Sequence, residues 1–415
     1  MVFITLKPSL HILRNGFPVL HLEAPFASSV HLALVFNAGT RDERPGFAGT
    51  AHFIEHMLFK GTRKRSNVQI LNFLDQGGGD VNAYTTKEKI CIHASVTRDE
   101  TEKAFDLLSD IGFHATFPSR EIEREKLVIS EEIDMYQENP EETIVEEMEK
   151  ILFRKLAIAN PILGYKNSIA KTTPSSIRKF VAGNFTKGRI ALSVAGNISE
   201  TEALALAEKW FSKIKLPPKK SRRQKSPGYK HQKLDISFPT KQIHCLIGAP
   251  AFASSHRLAP AFLILNNYLG GPAMNSILNL NIREKFGLAY NIYSFYAPYS
   301  DCGTFGLYFS CDPSKFDRVL SLCNKELEIL RNKELPLAKV NRIKKQVRGQ
   351  IILGWDGLLG RAINVAKDYL DFGQLHDLDS YLKMFDRVTP ADLHKAAKII
   401  FDSQKMSMIR LVPKD

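Results

Sequence analysis

The chain is poor in cysteine and has no long apolar run, and each shortage excludes a class of protein. Five cysteines in 415 residues, Cys91, Cys245, Cys302, Cys311 and Cys323, make an odd count without paired metal-ligand spacing, so neither a disulfide framework nor a cysteine-based metal site is expected. No stretch of about 18 consecutive apolar residues occurs, which argues against a membrane-spanning helix. The opening residues Met1 to Pro8 carry no basic segment ahead of an apolar core and no small-residue cleavage site, so a soluble cytoplasmic protein is the simplest expectation.

At this length one hydrophobic core no longer grows, and two domains are expected. An internal repeat divides the chain. Val30 to Phe36 and Ile243 to Ala249 are both strand-like, and each precedes a helical stretch, a glycine-rich segment and a tyrosine-bearing strand. Ser175 to Gly196 is echoed by Ala391 to Val412 as a helix followed by a strand. The copies lie roughly 215 residues apart, which means duplication of a whole domain rather than a solenoid. Mixed strands and helices in each copy predict two homologous α+β domains, each a sheet with helices on one face. The boundaries expected are residues 1–214 for the first domain, 215–232 for a linker and 233–415 for the second.

With 57 Lys and Arg against 44 Asp and Glu the net charge is +13, and Lys215 to Gln232 carries a large share of the excess. Its Lys, Arg, Pro and Ser content reads as an exposed linker. Binding of nucleic acid or another anionic polymer is the alternative use of such a run. It lacks interleaved aromatics except Tyr229 and matches no recognised module, so a solvated hinge is preferred and nucleic acid is not the expected partner.

The strongest chemical signal is His52-Phe53-Ile54-Glu55-His56, of the form H-x-x-E-H. Residues four apart are neighbours on a helix, so both imidazoles can reach one metal ion, with Glu55 beside them where a general base is needed. Roughly 0.02 such patterns are expected by chance in a chain of this composition. Ala51, Phe53, Ile54, Met57, Leu58 and Phe59 leave the helix almost no polar face, so it should be buried, and its polar side chains then need partners that a metal ion would supply. A third ligand is sought in the acidic stretch Glu121 to Glu149. Thr97 to Gly112 and Ser119 to Gln137 read as helices. Within the second, Glu132 has Val128, Ile129, Met135 and Tyr136 as its neighbours and is expected to face the core, whereas Glu131 points to solvent. Glu125, two turns before Glu132, suits acceptance of a hydrogen bond from a ligand histidine. His93 reads as an ordinary strand histidine.

Gly49 to Thr62 (GTAHFIEHMLFKGT) resembles the inverzincin zinc peptidases, the family of pitrilysin, insulin-degrading enzyme and mitochondrial processing peptidase, and in particular its half-size bacterial members. The resemblance implies a zinc-dependent endopeptidase with two domains enclosing a chamber. The family's third zinc ligand falls on Glu132 and its supporting acid on Glu125. Gly77 to Thr86 (GGGDVNAYTT) resembles the family's substrate-binding edge strand, which carries that role to Asn82, Ala83 and Tyr84. Strand addition suits such a site because main-chain hydrogen bonds bind without reading side chains. Arg283 to Tyr290 (REKFGLAY) resembles an arginine and tyrosine pair that contacts substrate and the developing oxyanion, so catalytic roles pass to Arg283 and Tyr290 beside Glu55. The second copy has no H-x-x-E-H, and Lys344 to Gly354 contains no carboxylate, so one zinc per chain and an inactive second domain lending substrate contacts are expected. Gly270 to Ser276 departs from the family's glycine-rich loop at Pro272 and Ala273. Expected partners are peptide substrates and, by resemblance, a second half-size chain, as a homodimer or a related subunit. A non-catalytic or partner-dependent subunit of a processing peptidase is the alternative, although all four metal-site residues are present.

Overall fold

The computed structural model describes residues 6–218, 223 and 228–414. The first sheet contains β1 (Ser9–Ile12), β2 (Pro18–Glu23), β3 (Ser29–Phe36), β4 (Asp80–Thr85), β5 (Ile90–Thr97) and β6 (Ile190–Gly196), in the order β1-β2-β6-β3-β5-β4. The second contains β7 (Lys233–Phe238), β8 (Ile243–Ala251), β9 (Asn291–Pro298), β10 (Gly303–Cys311) and β11 (Ser407–Pro413), in the order β7-β11-β8-β10-β9. In the first, β2 and β6 are parallel and the other pairs antiparallel; in the second, β7 and β11 are the parallel pair. Strand for strand the second order repeats the first without β1, which is the duplication read from the sequence.

Fourteen helices are found among the described residues. Those before the second sheet are α1 (Thr50–Leu58), α2 (Asn67–Asp75), α3 (Thr101–His114), α4 (Ser119–Glu138), α5 (Pro140–Phe153), α6 (Lys166–Ile169), α7 (Pro174–Asn184) and α8 (Glu200–Phe211). The later ones are α9 (Ala259–Gly270), α10 (Phe316–Asn332), α11 (Leu337–Gly354), α12 (Leu358–Phe372), α13 (Leu378–Asp386) and α14 (Pro390–Ile400). Local chemistry sets several starts. Ser66, Thr173 and Thr389 accept amide hydrogen bonds at the N-termini of α2, α7 and α14, and prolines open α5, α7 and α14. None of the helices found is long and apolar enough to cross a membrane.

The packed units do not follow contiguous halves of the chain. The described residues of 1–134, 160–223 and 352–380 form one, and those of 135–159, 224–351 and 381–415 the other. Helices are exchanged: α12, from the second half of the sequence, lies on β3 and β6, and α5, from the first half, lies on β8 and β11. Each sheet is therefore covered on both faces, not on one as the mixture of strands and helices implied. On the first, Leu32, Leu34 and Phe36 pack toward α3 and α8, while Ala33, Val35, Ala191 and Ala195 meet Ala362, Val365 and Ala366 of α12. Central strands buried on both faces read as continuous apolar runs, and β3 (SVHLALVF) does so. On the second sheet Gly248 makes the seat for α5, since a Cβ there would lie 2.7 Å from Met148 Sδ.

Two residues of the expected linker are packed against the rest of the chain. Residues 219–222 and 224–227 lie outside the described set, but Arg223 is half-buried, with Nη2 donating to Asp42 Oδ2 at 3.0 Å and Nη1 3.1 Å from Glu88 Oε1. Tyr229 Oη lies 2.6 Å from Ser407 Oγ. Both are packing positions that composition does not distinguish from a free basic run.

Because Met148 is fully buried yet lies on an exchanged helix, Met148→Ala should cost about 2–5 kcal/mol, measured by urea unfolding. Hydrogen exchange should show lost protection in β8 and β11, and loss concentrated in β3 and β6 instead would contradict the exchange.

Candidate metal centre

Helix α1 is buried along Thr50 to Ile54 and again at Met57 and Leu58, as its apolar flanks predict. His52, His56 and Glu132 form the one group of possible metal donors among the described residues, with one ligand atom from each lying within 4.8 Å of the others. His52 Nε2 is 3.8 Å from Glu132 Oε1, and His56 Nε2 is 3.7 Å from Glu132 Oε2. The two imidazole rings are 4.6 Å apart at 64°. These separations are too long for hydrogen bonds, so the donors converge without satisfying one another. Tetrahedral zinc with bonds near 2.1 Å places its ligand atoms roughly 3.4 Å apart, so small movements would seat an ion.

The surrounding electrostatics favour metal ligation. Burial, and secondarily the neighbouring His56, push the His52 pKa down to about 3, which keeps a neutral lone pair available. His56 Nδ1 donates to Glu125 Oε2 at 3.0 Å, leaving Nε2 to face Glu132. Burial pushes the Glu125 carboxyl up, but the hydrogen bonds from His56 and Lys60, together with the Lys60 charge, outweigh it and hold the group below the usual range. Lys60 Nζ is 2.6 Å from Glu125 Oε1. Sequence reasoning missed Lys60, although its position four residues after His56 was a usable signal. The pair Lys60 and Glu125 fixes which nitrogen of His56 is protonated.

Glu55 is separate from the three donors and chemically different. Its Oε2 is buried and has no hydrogen-bond partner, and His52 Nδ1 is likewise buried without one. Burial raises the Glu55 pKa against the lowering effect of the His56 charge; Thr85 Oγ1 lies nearby but makes no hydrogen bond in range. A carboxylate moved up toward neutrality is suited to taking and returning a proton.

Glu132 is brought to the site, but not by the burial expected of it. It is half-buried, and Val128, Met135 and Tyr136 beside it are 47, 61 and 38% exposed; the buried positions of α4 are Ile122, Glu125, Ile129 and Ile133. Glu131 is exposed, as read. The apolar residues flanking Glu132 present a surface next to the donor group rather than a core.

Asn82, Ala83 and Tyr84 lie on β4, the edge strand of the first sheet, which pairs with β5 and packs beside α1. The Asn82 side chain accepts from the Ala83 amide at 2.8 Å. His93, opposite Asn82 on β5, is an ordinary strand residue by position, though its Nδ1 is buried without a partner. Arg283 and Tyr290 belong to the other unit and are not members of the donor group. Arg283 lies in a π-helical turn, Asn279–Glu284, and is half-exposed; Tyr290 is 80% exposed, its amide bonded to Ser310. Helix α11, the position matched to α4, contains no acid. Gly270 and Gly271 close α9, where a Cβ on either would meet backbone or side-chain atoms under 3.0 Å away.

Comparison with known proteins places the chain in a family. Residues 19–166 match the model of the insulinase family, peptidase family M16, and residues 171–347 match that of the peptidase M16 inactive domain. The chain belongs to peptidase family M16. It is 30% identical over 388 residues to an uncharacterized zinc protease of Bacillus subtilis, covering 94% of each chain, and 32% identical over 406 residues to one of Rickettsia felis, covering 96% of each. Among solved structures, a protease from Helicobacter pylori superimposes with a TM-score of 0.88 over 99% of this chain and 100% of that one, at 19% identity. A peptidase M16 inactive domain from Pseudomonas fluorescens gives 0.87 over 99 and 98%, at 21% identity.

If Lys60 and Glu125 orient His56, then Lys60→Met should weaken zinc binding about 10- to 100-fold in competition with a chelating dye. Unchanged affinity would restrict Lys60 to a surface role.

Proposed function

We propose that this protein is a zinc-dependent endopeptidase that hydrolyses unstructured peptides, with His52, His56 and Glu132 as the zinc ligands and Glu55 as general base. The observation that carries the reading is a set of three donors that converge without bonding one another, beside a buried carboxylate oxygen with no partner. Zinc bound there supplies Lewis acidity and lowers the pKa of a water to about 7. Glu55 takes the proton from the attacking water and delivers it to the leaving amine. The edge of β4 receives the peptide by strand addition through Asn82, Ala83 and Tyr84, which selects extended chains over folded ones. The exposed Val128, Met135 and Tyr136 meet side chains of that peptide. Arg283 and Tyr290 stabilise charge on the tetrahedral intermediate. The chain acts in the cytoplasm, paired with a second half-size chain.

Glu55→Gln should abolish cleavage of a mixed pool of unstructured peptides while one zinc per chain remains bound. Chelator-sensitive cutting by the wild type is the companion result. Zinc present without cutting would favour a partner-dependent subunit, and a wild type that binds no zinc would overturn the reading.

Removing Arg283 or Tyr290 should lower kcat more than it raises KM for one peptide substrate. Wild-type kcat in both variants would remove them from the mechanism.

A further inference from the structure

Helix α1 has a problem at its start that its own residues do not solve. Its N-cap is Gly49, with φ +89°, and a Cβ there would lie 2.4 Å from the Leu163 carbonyl oxygen. No side chain can occupy that position, so no Ser, Thr, Asp or Asn can cap the first-turn amides locally. Those amides are buried, and unpaired they would cost the helix its fixed start. Glu43, six residues earlier and 6% exposed, supplies the acceptors: Gly49 N donates to Oε2 at 3.0 Å and Ala51 N to Oε1 at 2.8 Å. Ala51 immediately precedes His52.

Glu43 is held from its other side by its neighbours. Arg41 Nη1 donates to Glu88 Oε1 at 2.7 Å, and the Arg41 and Thr40 amides donate to the carbonyls of Lys87 and Thr86. Lys87 and Glu88 form the turn that joins β4 to β5. Gly39 lets this segment approach, since a Cβ on it would meet Thr86 O at 2.4 Å. Asp42 is clamped by Arg189 and Arg223. Four successive residues, 40–43, thus bind the substrate-strand hairpin, the first unit's basic side chains and the metal helix in turn.

We infer that Glu43 is a positioning residue that, anchored on the β4–β5 turn through Arg41, fixes the first turn of α1 and so the placement of His52 for metal. The inference rests on the zinc-peptidase reading of the site. It is distinct from simple stabilisation, because α1 is enclosed by core residues on most sides and has packing enough to form; what the carboxylate adds is an axial and rotational stop at the end that carries His52.

The test uses the whole chain in three variants. Glu43→Gln keeps the reach but turns one acceptor into a donor facing an amide. Glu43→Asp keeps the carboxyl group but shortens the reach. Leu13→Ala, a core truncation near the opposite edge of the sheet, serves as a control for general destabilisation. Zinc dissociation constants come from chelator competition, and hydrogen exchange reports the α1 amides in the zinc-free protein. Both Glu43 variants should bind zinc about tenfold more weakly and exchange the Gly49 and Ala51 amides at least tenfold faster, with β3 protection unchanged. Leu13→Ala should lower Tm and leave both readouts within twofold. Zinc affinity within twofold of wild type in both Glu43 variants would overturn the inference while leaving the peptidase reading intact, as would full rescue by Glu43→Asp. A wild type without measurable zinc affinity would overturn both. If Glu43→Gln does not fold, Glu43→Asp alone carries the comparison.

Discussion

The organising constraint of the first unit is that a helix with almost no polar face carries two imidazoles and a carboxylate into the interior. Burying such groups unpaired costs roughly 1–3 kcal/mol each, and more for a charge. Two kinds of compensation surround α1. Glu125 accepts the hydrogen bond from His56 Nδ1 and is itself paired with Lys60. Glu43 takes the first-turn amides. What remains uncompensated is the convergence point of His52, His56 and Glu132 and the Oε2 of Glu55. The cost is concentrated on the atoms that would touch metal and water.

The exchange of α5 and α12 bears on how this site is held. A sheet whose second face is closed by a helix from the far half of the sequence cannot be completed by either half alone. Small residues make the fit: alanines on β3 and β6 meet alanines on α12, and Gly248 receives Met148. Such close seating tolerates little added volume. The strand that neighbours α1 is in this way part of a sheet stabilised by both copies of the duplicated sequence.

Much of this was legible in the chain, for identifiable reasons. The duplication showed because each copy repeats a strand, helix and strand in order, and the donor residues showed because i, i+4 spacing and a metal's needs are local. The reasoning for Glu132 singled out a residue that the structure places beside His52 and His56, but its premise of burial fails: Val128, Met135 and Tyr136 are apolar, and hydropathy does not distinguish a core face from an apolar surface beside a site. Helix exchange was invisible because periodicity reports that a face is buried and not which segment buries it. Glu43 and Lys60 were overlooked because one lies outside its helix and the other just past its helix's end, and their partners are known only from tertiary contacts. Arg223 was hidden in a basic run whose composition is that of a solvated linker.

The two copies set a comparison within one chain. In the second unit one set of polar side chains closes on itself: His244 Nδ1 lies 2.7 Å from Tyr308 Oη, His244 Nε2 lies 3.1 Å from Thr240 Oγ1, and Asn291 and Tyr293 donate to Glu141 at 2.8 and 3.1 Å. Every one of these contacts is a hydrogen bond in range, so these side chains satisfy one another. In the first unit the corresponding demand is met at Glu125 and Glu43 but left open at 3.7 to 3.8 Å between imidazoles and Glu132. The same strand order thus supports a closed polar network in one copy and an open donor set in the other. The difference lies in side chains and not in the fold, so function has to be argued from the site.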